Sequence, residues 1–481
     1  MRIWAVLGFV FCLYVIGIFG SLIQDDLVVV SADRSLNSWS GLLRAMGEPY
    51  YKDSPQSGSY RPIPTTSFVL NKLFLGESAW GFRLVNISLY LVLVWLIFKY
   101  LAGIFKENWA LGLTILFAVH PIHTEAVNNI VGRAEIMALI FGLSALLMAR
   151  KQKWEWSVVS LLLAMWAKES AVIFAPLLGL TIWQSKFGKR EKVGVLLYLG
   201  LAFLFYLATR WIVLGEHFLG NNATMVENPL KFLSSEKRVL GAISVLVFGL
   251  GKVLWPVNLS YDYSFSAINY ATNLVDIRVM IGILLFALSL GWIVRMKKRE
   301  YFEAWSLFWG PLLITGNILF ASGTIMGERL WLVPSLGFLM MVGLFIRELK
   351  WSEKKFVYLL ILLTIFWSGR TFLRNFDWLS QKRLFLHDAK YASQSVMVRS
   401  NEAAMYIENG NLDKGYEALS AGEKIYPDYP ELINNWGVYY WRKGEFRKAK
   451  EKLEECVKAH PDNPTCVHNL FSLSQEMNAK K

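Results

Sequence analysis

Long apolar segments separated by short polar ones make up roughly the first three quarters of the chain. A helix needs about 20 apolar residues to cross a bilayer, and somewhat fewer when its ends are anchored. The pattern therefore predicts an all-α, polytopic membrane domain over residues 1–369. Its apolar segments lie approximately at 3–23, 84–105, 109–119, 135–149, 156–167, 170–184, 195–214, 239–256, 276–294, 303–320, 331–346 and 356–369.

Lysine and arginine cluster in alternate polar segments, and such clusters orient membrane helices. We take as cytoplasmic the side marked by the clusters at 99–106, 150–153, 186–192, 295–299 and 347–355. An even number of crossings must join the third cluster to the fourth, yet three apolar segments lie between them. The segment at 239–256 contains three glycines and is predicted to be a re-entrant or interfacial helix. About 11 spans and an external C-terminus follow from this topology.

The external side of this topology carries the loops that hold most polar residues of interest. These loops are 24–83, 120–134, 168–169, 215–238 and 321–330. One group of basic residues follows the last span directly and argues that the C-terminal tail lies on the opposite, cytoplasmic side of the membrane. That group consists of Arg370, Arg374, Lys382, Arg383 and Lys390.

A repeat with a period of 34 residues occupies the C-terminal tail, at 400–481. That period, with a glycine between two helices and a closing proline, is the tetratricopeptide signature. About two and a half copies are present, so we predict a short α-solenoid joined to the membrane domain by an interfacial helical segment at 370–399. The pairs at this spacing are Asn401 and Asn435, Gly410 and Gly444, Leu419 and Leu453, Pro427 and Pro461, Asp428 and Asp462, and Pro430 and Pro464.

Composition supports a membrane protein and excludes several other classes. Of the 481 residues 54% are hydrophobic and only 18% are charged, and 20 Trp and 20 Tyr suit the aromatic belts of a bilayer. The net charge of +13 resides largely between apolar segments, which argues against nucleic-acid binding. The chain has no Walker loop, dinucleotide fingerprint or Gly-x-Ser-x-Gly elbow. Three cysteines are too few and too scattered for a disulfide framework: Cys12 lies inside a span, and Cys456 and Cys466 of the tail are expected to be buried free thiols.

Ionisable residues close to the bilayer are functional candidates, because their burial is costly. Asp25 and Asp26 follow the first span directly, although a solvated helix end would look the same. The segment that contains His120, His123 and Glu125 leaves open a divalent metal site or a hydrogen-bonding role for its histidines. Which aspartate would act as a base is not decided by spacing, because adjacent residues of a helix point about 100° apart.

Further charged residues lie on the same predicted external face. Lys168 and Glu169 form the whole turn between two segments, where an ion pair or a phosphate contact would fit. Arg329 lies between two spans and has the fork geometry that binds phosphate. The remaining candidates are Tyr60 and Arg61 in a loop stiffened by two prolines, and Arg133 and Glu135 at the start of the fourth segment.

These segments, in this order, resemble the transmembrane and tetratricopeptide repeat-containing O-mannosyltransferases, which are GT-C class membrane glycosyltransferases. The resemblance covers nearly the whole chain, although the repeat tail is shorter than is common in that family. The residues that carry it are Asp25-Asp26, Tyr60-Arg61-Pro62, Phe82 to Asn86, Phe117 to Val127 with Gly132 to Glu135, Ala167 to Ser170, Pro256 to Ser264, and Glu328-Arg329.

The resemblance implies a GT-C-like enzyme that moves a sugar, expected to be mannose, from a polyprenyl-phosphate donor to a hydroxyl acceptor on protein. Transfer would invert the anomeric carbon and take place at the external or lumenal face. Asp25, Asp26 and Glu125 are the catalytic candidates, with Asp25 favoured as the base. Lys168, Arg329 and Arg133 would bind the donor phosphate. Acceptor or loop positioning falls to Tyr60, Arg61, His120, His123, Glu135 and Glu169.

Two other functions remain open at this stage. The first is a GT-C-like enzyme that modifies a glycan or lipid, since only its acceptor would differ. The second is a transporter or flippase, although the chain shows no repeat between membrane halves and its charges gather at one face. We expect a multi-pass protein of a bacterial inner membrane or the endoplasmic reticulum, with its active site and repeat tail outside the cytoplasm and the tail available for acceptor binding.

Overall fold

The computed structural model describes residues 2–23, 25–31, 38–52 and 54–479. Within these residues the chain is helical and contains no strand, which confirms the all-α prediction. The apolar part contains fifteen α-helices. They are α1 (Arg2–Tyr14), α2 (Ser40–Gly47), α3 (Pro62–Leu75), α4 (Ala79–Ala102), α5 (Glu107–Ala118), α6 (Thr124–Asn128), α7 (Arg133–Arg150), α8 (Trp154–Ala167), α9 (Phe174–Trp183), α10 (Lys189–Leu214), α11 (Ser235–Leu254), α12 (Ile277–Met296), α13 (Arg299–Thr315), α14 (Leu332–Glu348) and α15 (Glu353–Asp377).

Seven described helices are long and apolar enough to cross a membrane. They are Arg2–Phe19, Ala79–Ala102, Ile130–Arg150, Lys189–His217, Ile277–Met296, Glu328–Glu348 and Glu353–Asp377. An eighth is present if α5 and the segment Pro121–Asn128, which meet at a bend of 53°, form one broken span. Proline lacks the N–H that would continue a helix, which explains the break at Pro121. The chain is therefore a multi-pass membrane protein.

The predicted total of about 11 spans requires shorter helices to cross as well. Helices α5, α8, α9 and α13 have 12, 14, 10 and 17 residues respectively, and they match four of the apolar segments. That total stays a prediction. Helix α11, the predicted re-entrant or interfacial helix, is not among the described helices that qualify as spans. Its Gly249 packs against the indole of Trp331, which occupies the space that a Cβ would need.

The bundle has a buried centre and an apolar periphery. In the most apolar stretch of the α7 span 83% of the residues are buried, against 17% in the spans formed by α10, α12 and α15. Helix α7 packs with α4, α8 and α9, and buried side chains of these helices, α1, α5 and α14 form the largest core. The outer helices expose leucine, isoleucine and valine side chains, which is the surface expected to face lipid.

The tail consists of six further helices that follow the predicted period. They are α16 (Gln381–Tyr391), α17 (Val396–Glu408), α18 (Leu412–Ile425), α19 (Pro430–Arg442), α20 (Phe446–Ala459) and α21 (Pro464–Ala479). Helices α17, α19 and α21 begin at the same position of successive 34-residue periods, and so do α18 and α20. Gly410 and Gly444 have φ of +76° and +82° at the turns, a conformation that glycine adopts without strain. Helix α17 begins inside the predicted connector, and α15 extends past residue 369.

The cysteines of the tail differ from the sequence expectation. Cys456 and Cys466 form a disulfide between α20 and α21, with their Cα atoms 5.8 Å apart. The prediction of two buried free thiols is therefore wrong. A separation of ten residues in the sequence gives no indication of the pairing, because the turn between the two helices is what brings the side chains together.

The tail lies at the same end of the bundle as Asp25. The Ser21 N–H, just after the first span, donates to the Leu379 carbonyl at 3.1 Å. The Asn375 side chain donates to the Leu13 carbonyl at 2.8 Å. Arg374, one of the basic residues whose position argues for a cytoplasmic tail, is buried in ion pairs with Asp377 and Asp388. That arginine therefore has a structural role at the bundle end and is a poor marker of sidedness.

Candidate functional site

Two carboxylates share one arginine at this end of the bundle. Arg329 Nη1 lies 3.1 Å from Glu125 Oε1 and 3.6 Å from Asp25 Oδ2. The Arg329 backbone N–H also donates to Glu125 Oε2 at 2.8 Å. Asp25 and Arg329 keep 33% and 26% of their side chains exposed, whereas Glu125 keeps 2%. The cluster therefore joins one buried carboxylate to one that a substrate can reach.

Local chain breaks bring these three residues together. The break at Pro121 ends α5 and starts the short helix α6, which carries Glu125. Arg329 lies in a 3₁₀ turn, Glu328–Trp331, just before α14, and Asp25 follows the end of the first span. Non-helical backbone of this kind is tolerated at membrane depth where it is buried in protein or lines a cavity.

Asp26 differs from its neighbour in almost every respect. Its side chain is fully buried and accepts N–H bonds from Ile23 at 3.2 Å, Ile130 at 2.9 Å and Val131 at 3.3 Å. Burial raises the pKa of Asp26 to about 7, although the nearby Arg83 and the N–H donors act against this shift. All three donors are backbone groups, so Asp26 joins the end of the first span to the start of the α7 span.

Four other predicted residues form two ion pairs that border the cluster. Glu169 binds Arg61, with Nη2 to Oε2 at 3.1 Å, and the side chain of Lys168 donates to the buried Glu135. Lys168 lies within electrostatic range of Arg61, Arg329 and Glu125. Arg61 and Lys168 therefore each have a carboxylate partner at the border of the cluster.

Arg133 is not part of the cluster. It is fully buried and donates to the side chains of Asn86 at 2.7 Å and Asn71 at 3.0 Å and to the Phe82 carbonyl at 2.9 Å. It also contacts Ser67. These bonds tie the start of α7 to α3 and α4 and leave Arg133 as a brace between helices. Tyr60 is likewise buried, and its hydroxyl donates to the Met46 carbonyl at 2.7 Å.

The two histidines form hydrogen bonds within the protein. His120 Nδ1 accepts the Ile122 N–H at 3.2 Å, which leaves Nε2–H to donate to the Val253 carbonyl at 2.9 Å. His123 pairs with Ser335 Oγ at 2.8 Å and with the Tyr90 hydroxyl at 2.9 Å. Among the described residues no group of three or more His, Cys, Asp or Glu side chains is placed to hold a metal ion. All four ring nitrogens are engaged, and this favours the hydrogen-bonding role that the sequence left open.

Several residues at the site have no predicted role in the sequence analysis. Arg210 Nη1 lies 3.6 Å from Glu169 Oε1. Its position inside the apolar segment 195–214 is the sequence feature that marks it as a functional candidate, because charged residues are costly there. Tyr261 lies within electrostatic range of Asp25, Arg329 and Glu125. Its loop is far from these residues in the sequence, so only the fold brings it close.

An apolar cavity of about 260 Å³ lies between α11, α12 and α13. It reaches Trp331, which shares its 3₁₀ turn with Arg329. The lining includes Leu246, Leu250, Leu285, Phe286 and Leu312. The charged cluster thus has an apolar cavity on its α11–α13 side.

Comparisons with known proteins point to one family. A family model described as Protein O-mannosyl-transferase TMTC, DUF1736, matches residues 222–290. Protein O-mannosyl-transferase F38B6.6 of Caenorhabditis elegans is 27% identical over 428 residues, 86% of this chain and 61% of that protein. Human protein O-mannosyl-transferase TMTC3 is 25% identical, over 89% of this chain and 52% of its own length. Drosophila melanogaster Tmtc2 is 30% identical over 56% of this chain and 31% of its own.

The chain spans about half to three fifths of the length of the first two of these relatives. No solved structure matches. The relatives share the name protein O-mannosyl-transferase, and their matches extend far beyond the segment covered by the family model. These findings confirm the resemblance of this chain to the transmembrane and tetratricopeptide repeat-containing O-mannosyltransferases.

Proposed function

We propose that this protein is a membrane glycosyltransferase that moves mannose from a polyprenyl-phosphate donor to a hydroxyl group of an acceptor protein, with inversion. The observation that carries the proposal is the pairing of Asp25 and Glu125 with Arg329. The names of the relatives support the activity class. Transfer of this kind needs a base near the acceptor hydroxyl and a cation near the leaving phosphate, and the cluster offers both.

Asp25 is the carboxylate best suited to act as the base. Glu125 is buried and accepts two bonds from Arg329, one from its side chain and one from its backbone. Asp25 keeps a third of its side chain exposed, so an acceptor hydroxyl can come within hydrogen-bond reach. Glu125 then holds Arg329 in place, and Arg329 neutralises the phosphate as negative charge develops there.

The apolar cavity suits the lipid part of the donor. Isoprenoid units are apolar and branched, and the cavity is lined by aliphatic and aromatic side chains. A lipid that enters from the bilayer between α11, α12 and α13 would bring its phosphate toward Arg329, two residues before Trp331. A divalent metal is not required by this scheme, since Arg329 supplies the positive charge.

The direct test is transfer of radiolabelled mannose by the purified protein in proteoliposomes. Polyprenyl-phosphate mannose is the donor, and the acceptors are unfolded protein, oligosaccharide and glycolipid in parallel. We expect label on serine or threonine of the protein acceptor. Label on the oligosaccharide or glycolipid alone would show that the acceptor is a glycan or lipid and not a protein. No transfer to any acceptor would refute the proposed enzymatic activity.

Filling the cavity should weaken binding of long-chain donors selectively. Ala287 lines the cavity, whereas Leu288 on the same helix does not. Loss of apolar contact worth about 1.4 kcal/mol corresponds to a tenfold change in affinity. We therefore expect Ala287→Trp to raise KM about tenfold for a long polyprenyl donor and to leave KM for a two-isoprenoid donor unchanged. Leu288→Trp is the control, and an equal effect of Ala287→Trp on both donors would contradict the assignment of the cavity.

The active site and the tail are proposed to lie outside the cytoplasm. Gln56 and Glu454 are exposed at the site end, and Gln184 follows α9 at the predicted cytoplasmic end. In a Cys12→Ser background, single cysteines at Gln56 and Glu454 should react with a membrane-impermeant maleimide in intact cells. A cysteine at Gln184 should react only after permeabilisation. The reverse pattern would invert the topology.

A further inference from the structure

Residues 258–264, here called the bridging loop, lie in the connection between α11 and α12, and Glu328 holds them in place. Glu328 Oε1 accepts the Ser260 N–H at 2.7 Å and the Tyr263 hydroxyl at 2.6 Å. Glu328 is fully buried and directly precedes Arg329. The bridging loop is therefore fixed to the same turn that carries the proposed phosphate-binding arginine.

The tail also holds the bridging loop, through two hydrogen bonds. Asp388 Oδ2, in α16, accepts the Tyr261 N–H at 2.6 Å. The Ser395 hydroxyl, at the N-cap of α17, donates to Asp262 Oδ2 at 2.7 Å. Burial raises the pKa of Asp262 to about 6. Asp388 is itself 1% exposed and also binds Arg374 at 3.3 Å, so its carboxylate is locked in place.

The Tyr261 ring contacts aromatic residues at the junction of α15 and the tail. It packs edge-to-face on Trp378, with ring centroids 5.8 Å apart, and lies 6.5 Å from the Phe385 ring of α16. It is also within electrostatic range of Asp25 and Arg329. A single residue is thus in contact with the tail through its backbone and ring and near the proposed base.

We propose that Asp388 is a positioning residue for sugar transfer: it acts through Tyr261, which forms the acceptor side of the active site. This inference rests on the proposed function. It gives the tail a second role besides binding the acceptor, which is to hold Tyr261 in position. The tail residues that hold Tyr261 are absent from the lining of the apolar cavity, which is formed by α11, α12, α13 and their neighbours. The tail should therefore affect use of the acceptor and leave binding of the donor unchanged.

The test combines kinetics with hydrogen exchange in the full-length protein. Asp388→Ala should lower kcat/KM for the acceptor about tenfold and change KM for the donor less than twofold. Asp388→Asn, which keeps one acceptor oxygen, should fall between Asp388→Ala and wild type. Glu402→Ala is the control, because this partly buried carboxylate pairs with Arg399 within α17, away from the bridging loop.

A double-mutant cycle separates positioning from general destabilisation. In a Tyr261→Ala background Asp388→Ala should have little further effect, because the residue through which it acts is already lost. Additive losses, or an equal loss of donor use, would overturn the proposal.

Hydrogen exchange decides the proposal independently of activity. Asp388→Ala should accelerate exchange in the peptide that spans residues 258–264, and Glu402→Ala should not. Unchanged exchange would refute the link between the tail and the bridging loop. A wild-type protein without transferase activity would refute only the proposed reaction, since the exchange result would still decide whether Asp388 orders the bridging loop.

Discussion

Replacing Asp25 with Asn is expected to lower the rate of mannose transfer by roughly 10²- to 10⁴-fold, about 3 to 5 kcal/mol of barrier. The amide keeps the shape of the side chain and can still accept a bond from Arg329, but it cannot take a proton at neutral pH. Donor binding should be retained, because removal of a negative charge near the phosphate site does not weaken the attraction of Arg329 for phosphate. The measurement is single-turnover transfer at saturating donor, together with direct binding of a non-transferable donor analogue.

Asp276→Asn is the matched control for this substitution. Asp276 caps the N-terminus of α12 and pairs with Arg278 away from the cluster, and asparagine is an equally good N-cap. Its transfer rate should equal that of wild type. If Asp25→Asn transfers mannose at the wild-type rate, Asp25 is not the base, and Glu125→Gln is the next substitution to measure.

The parts of the fold that follow from local pattern are predictable from this sequence. In lipid a helix satisfies its own backbone hydrogen bonds, so long apolar segments are expected to be helical. The described helices match the predicted segments closely. The 34-residue period likewise fixes where α17 to α21 begin. The number of crossings is less predictable, because helices as short as α9, with 10 residues, are apolar without being long enough to span alone.

The candidate site is predictable only in its general location. The sequence pattern places Asp25, Glu125 and Arg329 on one face, and in the structure Arg329 lies within ion-pair distance of both carboxylates. The same pattern makes Arg133 a candidate for binding the phosphate, but in the structure its N–H groups donate to residues of neighbouring helices. A charged residue that binds the donor phosphate and one that joins buried helices look alike in the sequence, because both are polar groups next to apolar segments. Tertiary partners alone distinguish them.

The two adjacent aspartates show this difference most clearly. Asp25 faces a site that is partly open, and Asp26 accepts three backbone N–H groups in a buried position. Adjacent residues of a helical segment point in different directions, so the fact that two residues are adjacent in the sequence does not predict that they share a role. Substitution of the two residues should therefore damage different properties of the protein.

Asp26→Ala is expected to destabilise the folded protein strongly. It leaves the buried N–H groups of Ile23 and Ile130 without their acceptor, at a cost of about 1 to 3 kcal/mol each, and leaves Val131 N–H with only its bond to Asn129 Oδ1. The total of several kcal/mol is a large part of the net stability of a typical fold. We expect a melting temperature in detergent lowered by about 10 °C or more, and a reduced yield of monodisperse protein.

The dependence of stability on pH gives a second test of Asp26. Burial raises its pKa from 3.8 to about 7, so the folded state binds this proton more tightly than the unfolded chain. The stability that Asp26 contributes is then complete below about pH 4 and is lost as the pH rises through about 7. Asp26→Asn does not titrate, so wild type should lose melting temperature relative to this variant between pH 5 and pH 8.

Asp25→Asn is the matched control for both Asp26 experiments, because it alters the neighbouring carboxylate without removing a buried acceptor. It should melt close to wild type while it loses transfer, whereas Asp26→Ala should lose folded protein, with the remaining folded fraction still active. Asp26→Ala with wild-type melting would show that the Ile23 and Ile130 N–H groups find other acceptors. A folded, stable Asp26→Ala protein that has lost transfer would instead place Asp26 in the reaction and remove the distinction between the two aspartates.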